Sequence, residues 1–306
     1  MITRLFINHK TATQPSPPGT IITVNNIDMH IHCRQPDNYE GGTVILDAGL
    51  GGWSSLWGTV FTQTAQFTRV CAYDRAGYGW SESSPIARTP TNIAQELSSL
   101  LDTADIPPPY TIVGFSYTGL SSRILAQIDD DVTQLILVDP ATEIDNDILP
   151  PEIQSQQASL IHIYNFFGFL SRLGIIRALD PKEMAPSAVF ISEGEPDIYY
   201  EMLTYENWWR TSAQEMQAIV SNAAADDVKN NGAVIPDMPL TVLGIENNYP
   251  PDSPFYIIHQ RRNQQLEKLA EQSTQGQFQL VINSTHQMNK DRPDVIIETI
   301  KAYTTE

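Results

Sequence analysis

The stretch Tyr110-Thr-Ile-Val-Gly-Phe-Ser-Tyr-Thr-Gly119 decides how the chain folds. It opens as a β-branched run behind Pro107-Pro108-Pro109, the pattern of a buried strand with a sharp start. Gly114, Ser116 and Gly119 follow at once, and Leu120-Ser-Ser-Arg-Ile-Leu-Ala-Gln-Ile128 then carries apolar residues at helical spacing. One serine therefore sits at a strand-to-helix turn among small residues. Such a turn strains the backbone of its central residue and leaves the hydroxyl exposed, which is the setting of a nucleophile elbow. Gly114 lets the turn close tightly. The helix N-terminus behind Ser116 supplies unpaired N–H groups and the positive end of a dipole. The competing reading is a chance serine after a buried strand, and the strand–turn–helix context weighs against it.

Working outward, Thr43-Val-Ile-Leu-Asp47 is a second buried strand. It is followed by Ala48-Gly-Leu-Gly-Gly52 and an amphipathic helix over residues 53–67. These glycines lack the Gly-x-Gly-x-x-Gly spacing of a dinucleotide site and the lysine of a P-loop. Arg69-Val-Cys-Ala-Tyr-Asp74 is a third strand. A helix over 90–104 places Ile93, Leu97, Leu100 and Leu101 on one face. Thr133-Gln-Leu-Ile-Leu-Val-Asp139 is a further strand, closed by Pro140. Near-continuous apolar strands alternating with helices predict an α/β protein with a doubly wound, mostly parallel sheet. In such sheets ligands bind beyond the carboxyl ends of the strands, and Leu50, Ser116 and Asp139 all fall there.

Before this core, residues 8–20 are polar and proline-rich and read as a loose arm. Residues 20–24 and 27–33 flank Asn25-Asn26 as a hairpin. The alternation in the second strand predicts that His30 and His32 both face solvent. Their spacing could suggest metal, but exposed hairpin histidines are the expected reading. From Ala141 to Pro236 strand patterns are absent and aromatics are frequent, which predicts a helical insertion. Phe166, Phe167, Phe169 and Trp208 are its candidates for lining a pocket. The sheet resumes at Leu240-Thr-Val-Leu-Gly244, passes through a charged helix over 257–271, and ends with Phe278-Gln-Leu-Val-Ile282 and a terminal helix. The expected organisation is a core of residues 1–140 and 237–306 with the helical segment 141–236 inserted before the last two strands.

The 306 residues fit one large domain, or one with an insertion. A formal net charge of -18 argues against nucleic acid or anionic lipid as a partner. No apolar run approaches a membrane span. Cys33 and Cys71 lie in strand-like runs and are expected to be buried free thiols; a disulfide between them is the alternative, disfavoured because this is no small cysteine-dense scaffold. The first residues, Met1-Ile-Thr-Arg-Leu-Phe-Ile7, turn polar too soon for a signal peptide, so a cytoplasmic location is expected.

The stretch 114–119 resembles the elbow of the α/β-hydrolase superfamily, usually Gly-x-Ser-x-Gly. Here Thr118 holds the place of the last glycine and Gly119 follows it, which predicts a slightly opened elbow. Asp74-Arg-Ala-Gly-Tyr-Gly-Trp-Ser81 is similar to the superfamily's Asp-Arg-x-Gly-x-Gly-x-Ser loop, in which Asp74 and Arg75 are expected to be structural. Asn283-Ser-Thr-His-Gln-Met288 follows the last strand and places His286 where the superfamily has its catalytic histidine. The resemblance implies a serine hydrolase with a helical lid, Ser116 as nucleophile and His286 as base. It also implies backbone N–H groups of Leu50 and Tyr117 as oxyanion donors. The common acid site after the seventh strand holds Asn247, with Glu246 beside it. Asp139 in Asp-Pro-Ala resembles lipases that place their acid one strand earlier, so Asp139 is the favoured acid and Glu246 the alternative. The implied reaction is cleavage of an ester, amide or lactone of a small, largely apolar molecule, with no metal or organic cofactor. Serine in place of aspartate at the elbow argues against epoxide hydrolase or dehalogenase chemistry. A lyase or cofactor-free oxygenase, or a silent binding protein on the same fold, remains the alternative. The bulk of Phe115 and Tyr117 beside Ser116 predicts a preference for small acyl groups.

Overall fold

The computed structural model describes residues 16–143, 148–179, 196–232 and 234–304. The arm expected over residues 8–20 therefore lies mostly outside the described residues, as do parts of the segment 141–236. Eight strands form one sheet: β1 (Thr20–Val24), β2 (Ile27–Arg34), β3 (Thr43–Asp47), β4 (Arg69–Tyr73), β5 (Tyr110–Phe115), β6 (Val132–Val138), β7 (Leu240–Ile245) and β8 (Gly276–Val281). Their order is β1-β2-β4-β3-β5-β6-β7-β8. β1 and β2 pair antiparallel, as do β2 and β4, and all other pairs are parallel. This is the doubly wound α/β sheet that the apolar runs predict. β3, β5 and β7 are buried along their whole length because helices cover both faces.

One face packs on α1 (Gly58–Thr64) and the terminal helix, the other on α2 (Pro90–Thr103) and α3 (Thr118–Ile128). Thr89 caps α2 by accepting the Asn92 N–H at 3.3 Å, and Pro90 occupies the first turn, where its missing N–H costs nothing. Ile93, Leu97, Leu100 and Leu101 are buried on the face their spacing predicts. Between β6 and β7 stand α4 (Pro151–Arg172), α5 (Ile175–Ala178), α6 (Pro196–Met202), α7 (Glu206–Val220) and α8 (Ala223–Asn231). No strand occurs among the described residues of this segment. Its aromatic residues Tyr199, Tyr200 and Trp208 cluster with Trp53, Tyr78 and Trp80, so the inserted helices rest on the loops after β3 and β4. After β7 the described residues form α9 (Pro254–Ala270), α10 (Met288–Asp291) and α11 (Pro293–Thr304). No helix among the described residues is long and apolar enough to cross a membrane.

Two expectations for the hairpin strand are corrected. His30 is fully buried, and only His32 keeps partial exposure. The loop after β4 folds over this end of β2, so the face that alternation assigns to solvent is covered. Trp80 lies 5.1 Å from the His30 ring, and His30 Nδ1 meets Asp74 Oδ2 at 2.9 Å. The cysteines are not free: Cys33 and Cys71 stand directly opposite in the β2–β4 register and form a disulfide. Disulfides persist mainly in oxidising compartments, so the cysteines give the cytoplasmic expectation no support.

Asp74 holds the loop after β4, in the structural role the sequence suggests. Besides His30, its carboxylate accepts the N–H groups of Ser54 (2.8 Å) and Trp80 (2.9 Å), all in buried surroundings. Asp74→Ala strands these donors without water, and we expect a loss of about 3–5 kcal/mol in unfolding free energy. Urea titration of the two proteins measures it. A loss below about 1 kcal/mol would show that the loop has other support.

Candidate active site

Ser116 follows β5 directly and precedes α3, with φ 55, the left-handed region that non-glycine residues rarely occupy. Its N–H donates to Val138 O at 3.1 Å, and its carbonyl accepts the N–H groups of Gly119 (3.0 Å) and Ala141 (2.8 Å). The turn is thus pinned to the chain leaving β6. Gly119 is required there, because a Cβ at that position would stand 2.3 Å from Pro140 Cβ. Thr118 does not open the elbow. Its hydroxyl is fully buried, accepts the Phe115 N–H at 3.1 Å and lies 3.0 Å from the carbonyl oxygens of Asp47 and Phe115. The side chain that replaces the family's glycine therefore ties the elbow to β3.

His286 comes from the loop between β8 and α10. Its Nε2 lies 3.0 Å from Ser116 Oγ, and its Nδ1 lies 2.5 Å from Asp139 Oδ2. An ionised carboxylate only accepts, so Nδ1 carries the proton and Nε2 is left to accept the serine O–H. Phe115 supports the imidazole, with ring centroids 4.9 Å apart. Asp139 follows β6 with φ 39, donates its N–H to Leu243 O at 2.8 Å, and is 1% exposed. Arg262 of α9 takes the other carboxylate oxygen, and its Nη2 also reaches Asp139 O (3.1 Å) and Pro140 O (2.9 Å). Burial pushes the Asp139 carboxyl up, but the Arg262 charge and the His286 hydrogen bond outweigh it and hold the group well below the usual carboxylate range.

Glu246, the alternative acid, turns elsewhere and accepts the Asn283 N–H at 3.0 Å. Asn247 donates to Tyr256 O at 2.8 Å. The structure thus brings Ser116, His286 and Asp139 together and leaves Glu246 apart from the imidazole.

Ser116 and His286 border a cavity of about 410 Å³. Its walls are mainly apolar: Leu120 from α3, Leu149, Ile219 and Ala224 from the inserted segment, Ile245 at the end of β7, and Ile258 from α9. None of the four expected aromatics lines it. Phe166 and Phe169 are each 58% exposed, Phe167 stacks on Trp209, and Trp208 is buried with its indole N–H on Gly51 O at 2.8 Å. The aromatic half of α4 packs on α7, and only its first turns approach the cavity. Phe115 and Tyr117 are also buried in the body. The Tyr117 hydroxyl reaches Arg88 O at 2.8 Å, so neither ring crowds the space above Ser116 as their sequence positions suggest.

The loop after β3 passes very close to the elbow: a Cβ on Gly49 would stand 2.9 Å from Ser116 Cβ. Gly49 O accepts from Arg75 Nη2 (2.8 Å) and Gly52 N–H (3.0 Å). A trans peptide sets its C=O and N–H in opposite directions, so the Leu50 N–H points away from Arg75. Tyr117 N–H lies at the N-terminal end of α3, where helical donors have no intrahelical partner. Neither N–H has a protein partner among the described residues. Sequence reading missed Arg262 altogether. It sits in a helix recognised only as charged and amphipathic, with no spacing that links it to Asp139.

The sequence pattern of the Alpha/beta hydrolase family matches residues 44–299, and the chain belongs to that family. The uncharacterized protein YqjL of Bacillus subtilis (strain 168) is 33% identical over 111 residues, covering 36% of this chain and 44% of YqjL. The chain spans less than half the length of the first curated relatives it matches. An esterase from Thermogutta terrifontis superposes with a TM-score of 0.62 at 18% identity, over 93% of this chain and 97% of the esterase. A putative epoxide hydrolase from Pseudomonas aeruginosa reaches a TM-score of 0.68 at 14% identity, over 95% of this chain and 96% of its own. Likeness at this level shows the fold, and the chemistry has to be argued from the site.

The Asp139–Arg262 contact has a pH signature. A depressed carboxyl stabilises the fold above its unfolded pKa, near about 4, and that contribution is lost as pH falls toward the folded value. Arg262→Met raises the folded value. The variant's stability deficit should therefore be largest near neutral pH and shrink below about pH 4. Urea midpoints at the two pH values check this, and equal deficits would show that packing, not charge, supplies the contribution.

Proposed function

We propose that the protein is a serine hydrolase, carboxylesterase-like, that cleaves an ester, amide or lactone of a small, largely apolar molecule through an acyl-serine intermediate. The observation that carries this reading is the unbroken chain from Asp139 through His286 to Ser116, at 2.5 and 3.0 Å, beside a mainly apolar cavity. Ser116 Oγ attacks the substrate carbonyl carbon while His286 Nε2 takes its proton. Asp139 holds the imidazole in the required tautomer and balances the imidazolium. The oxyanion meets the N–H groups of Leu50 and Tyr117, and each such donor contributes about 3 kcal/mol of transition-state stabilisation. Collapse of the tetrahedral intermediate breaks the bond to the leaving group, which departs with the proton from His286. Water, deprotonated by the same imidazole, then attacks the acyl-serine; the bond to Ser116 Oγ breaks, His286 returns the proton to that oxygen, and the acid is released.

The fold is shared by proteins of different chemistry, including the putative epoxide hydrolase above, so the nucleophile decides between them. Opening an epoxide through an alkyl-enzyme ester needs a carboxylate at the elbow, and Ser116 has none. Acyl transfer suits a serine paired with a histidine. The sequence of steps calls on no metal or organic cofactor. In this reading residues 141–236 serve as a lid on the core formed by residues 1–140 and 237–306.

Ser116→Ala should abolish hydrolysis of p-nitrophenyl esters and labelling by a fluorophosphonate probe. Residual hydrolysis at the wild-type rate in a pure preparation would end the reading. Asp139→Asn should lower kcat by about 10⁴-fold, while Glu246→Gln should lose little. The reverse pattern in folded variants would move the acid to Glu246. A cavity of about 410 Å³ lies near the lower end for ligand pockets, roughly 300–1,000 Å³. Acetate and butyrate esters should therefore exceed a dodecanoate ester in kcat/KM, and the opposite ranking in a chain-length series would refute the size argument.

A further inference from the structure

Against the loop 48–51 lies a buried group that the mechanism above does not use. Arg75, Asp47, Tyr78 and Glu215 are each no more than 1% exposed. Arg75 spends its donors on two tasks. Nη1 reaches Asp47 Oδ1 (3.1 Å) and Ala48 O, and Nη2 reaches Gly49 O (2.8 Å). Nε and Nη2 also meet the two oxygens of Glu215 at 3.2 and 3.3 Å. Tyr78 donates its hydroxyl to Glu215 Oε2 at 2.8 Å and accepts the Gly51 N–H at 3.2 Å.

Glu215 belongs to the inserted helix α7, and Trp208 on the same helix holds Gly51 O. Ser212, between them in sequence, lies 3.4 Å from the Tyr78 hydroxyl. Residues 208, 212 and 215 share one helix face. That face therefore fixes the carbonyls of residues 48, 49 and 51 and the N–H of residue 51, either directly or through one side chain.

We infer that Glu215 is a positioning residue for the oxyanion loop, acting through Arg75 and Tyr78. The inference rests on the acyl-serine reading. A buried arginine needs only one carboxylate for neutrality, and Asp47 already supplies it. Adding Glu215 places a second acid in a dry site, and burial leads the effects that push Asp47 up to about 6. Charge balance alone does not explain the arrangement, but geometry does. A guanidinium is a rigid planar fork. Seating its Nε/Nη2 edge on Glu215 fixes the plane, and the plane fixes where the other N–H bonds meet Ala48 O and Gly49 O. The direction of the Gly49 carbonyl in turn sets that of the Leu50 N–H. The inserted helix thus completes the half of the oxyanion site that the core leaves on a glycine-rich loop.

The test compares wild type, Glu215→Gln and Tyr78→Phe in three assays: p-nitrophenyl butyrate kinetics, inhibition by an alkyl boronic acid that forms a tetrahedral adduct on serine, and thermal unfolding. Glu215→Gln should lower kcat by about 10–100-fold with KM within about twofold. Boronate affinity should fall in parallel with kcat/KM, as expected when transition-state binding is lost. Tyr78→Phe removes a single hydroxyl and should show the same parallel at about 3–10-fold. It decides the matter if Glu215→Gln fails to fold. A change in unfolding temperature with kcat and boronate affinity unchanged would reduce Glu215 to a tie between helix and core and overturn the inference. So would a rate loss without a matching loss of boronate affinity. Fluorophosphonate labelling of wild type separates the two levels. No labelling removes the acyl-serine reading and this inference with it, whereas a labelled wild type with indifferent variants removes the inference alone.

Discussion

The parallel register of β5 against β6 is the constraint on which the site depends. Phe115 pairs with Val138, and the next residue on each strand leaves the sheet with a positive φ: Ser116 at 55 and Asp139 at 39. Ser116 N–H on Val138 O and Ala141 N–H on Ser116 O lock the two exits together. β7 then fixes the second exit, since Asp139 N–H ends on Leu243 O. A serine and a carboxylate 23 residues apart are held side by side by backbone hydrogen bonds before any side-chain contact forms. His286 has only to be delivered by the loop after β8. A shift of one residue in this register would turn every side chain of β6 to the other face and carry Asp139 away from the imidazole.

Local chemistry made much of this legible in the sequence. The strands are short apolar runs, Ser116 is marked by the strand–turn–helix pattern, and Asp139 is marked by its place at a strand's end. The site elements that escaped reading lie far away along the chain. Arg262 is 123 residues from Asp139, and Glu215 is 140 from Arg75. Neither belongs to a spaced motif, and each becomes meaningful only once two helices dock. The errors in β2 have the same origin. Alternation assigned His30 to solvent because a strand pattern records its two faces but not which loop covers one of them. Cys33 and Cys71 read as free thiols because two cysteines in strand runs form no disulfide framework, and a strand pattern does not record which strands pair. Thr118 is a different case. Reading it by bulk alone predicted an opened turn, whereas its hydroxyl supplies bonds that a glycine cannot.

Buried charge follows one rule throughout the molecule. Arg75, Arg88 and Arg123 are each no more than 2% exposed, and each meets a carboxylate: Asp47 and Glu215, Glu96, and Glu143. An ion taken out of water is tolerated only where a partner and further hydrogen bonds replace the solvent. An acidic composition makes carboxylates plentiful and arginines scarce, with 36 Asp and Glu against 18 Lys and Arg. The arginines spent inside are therefore informative about where geometry matters. Buried Arg75 and partly exposed Arg262 both stand at the candidate site. Arg262 meets the Asp139 carboxylate, and Arg75 holds the carbonyls of the loop that faces the elbow.

These two contacts also hold helices that line the cavity. Separating α7 from the loop 48–51 would break the Arg75–Glu215 pair and the Trp208–Gly51 bond while leaving Arg75 and Asp47 in a half-open site. Breaking a buried ion pair costs about 3–5 kcal/mol where no other partner remains, and Asp47 would offset part of that for Arg75. The cavity lining on α9 is anchored as well, by Arg262 on Asp139 and Pro140. Tyr249 and Phe255 also line the cavity, stack on each other at 5.3 Å and are 41% and 38% exposed. Two stacked rings at a half-solvated rim part at far smaller cost than a buried ion pair. Charge thus ties α7 to the loop after β3 and α9 to the exit of β6, whereas the Tyr249–Phe255 pair at the cavity rim is joined by ring contact.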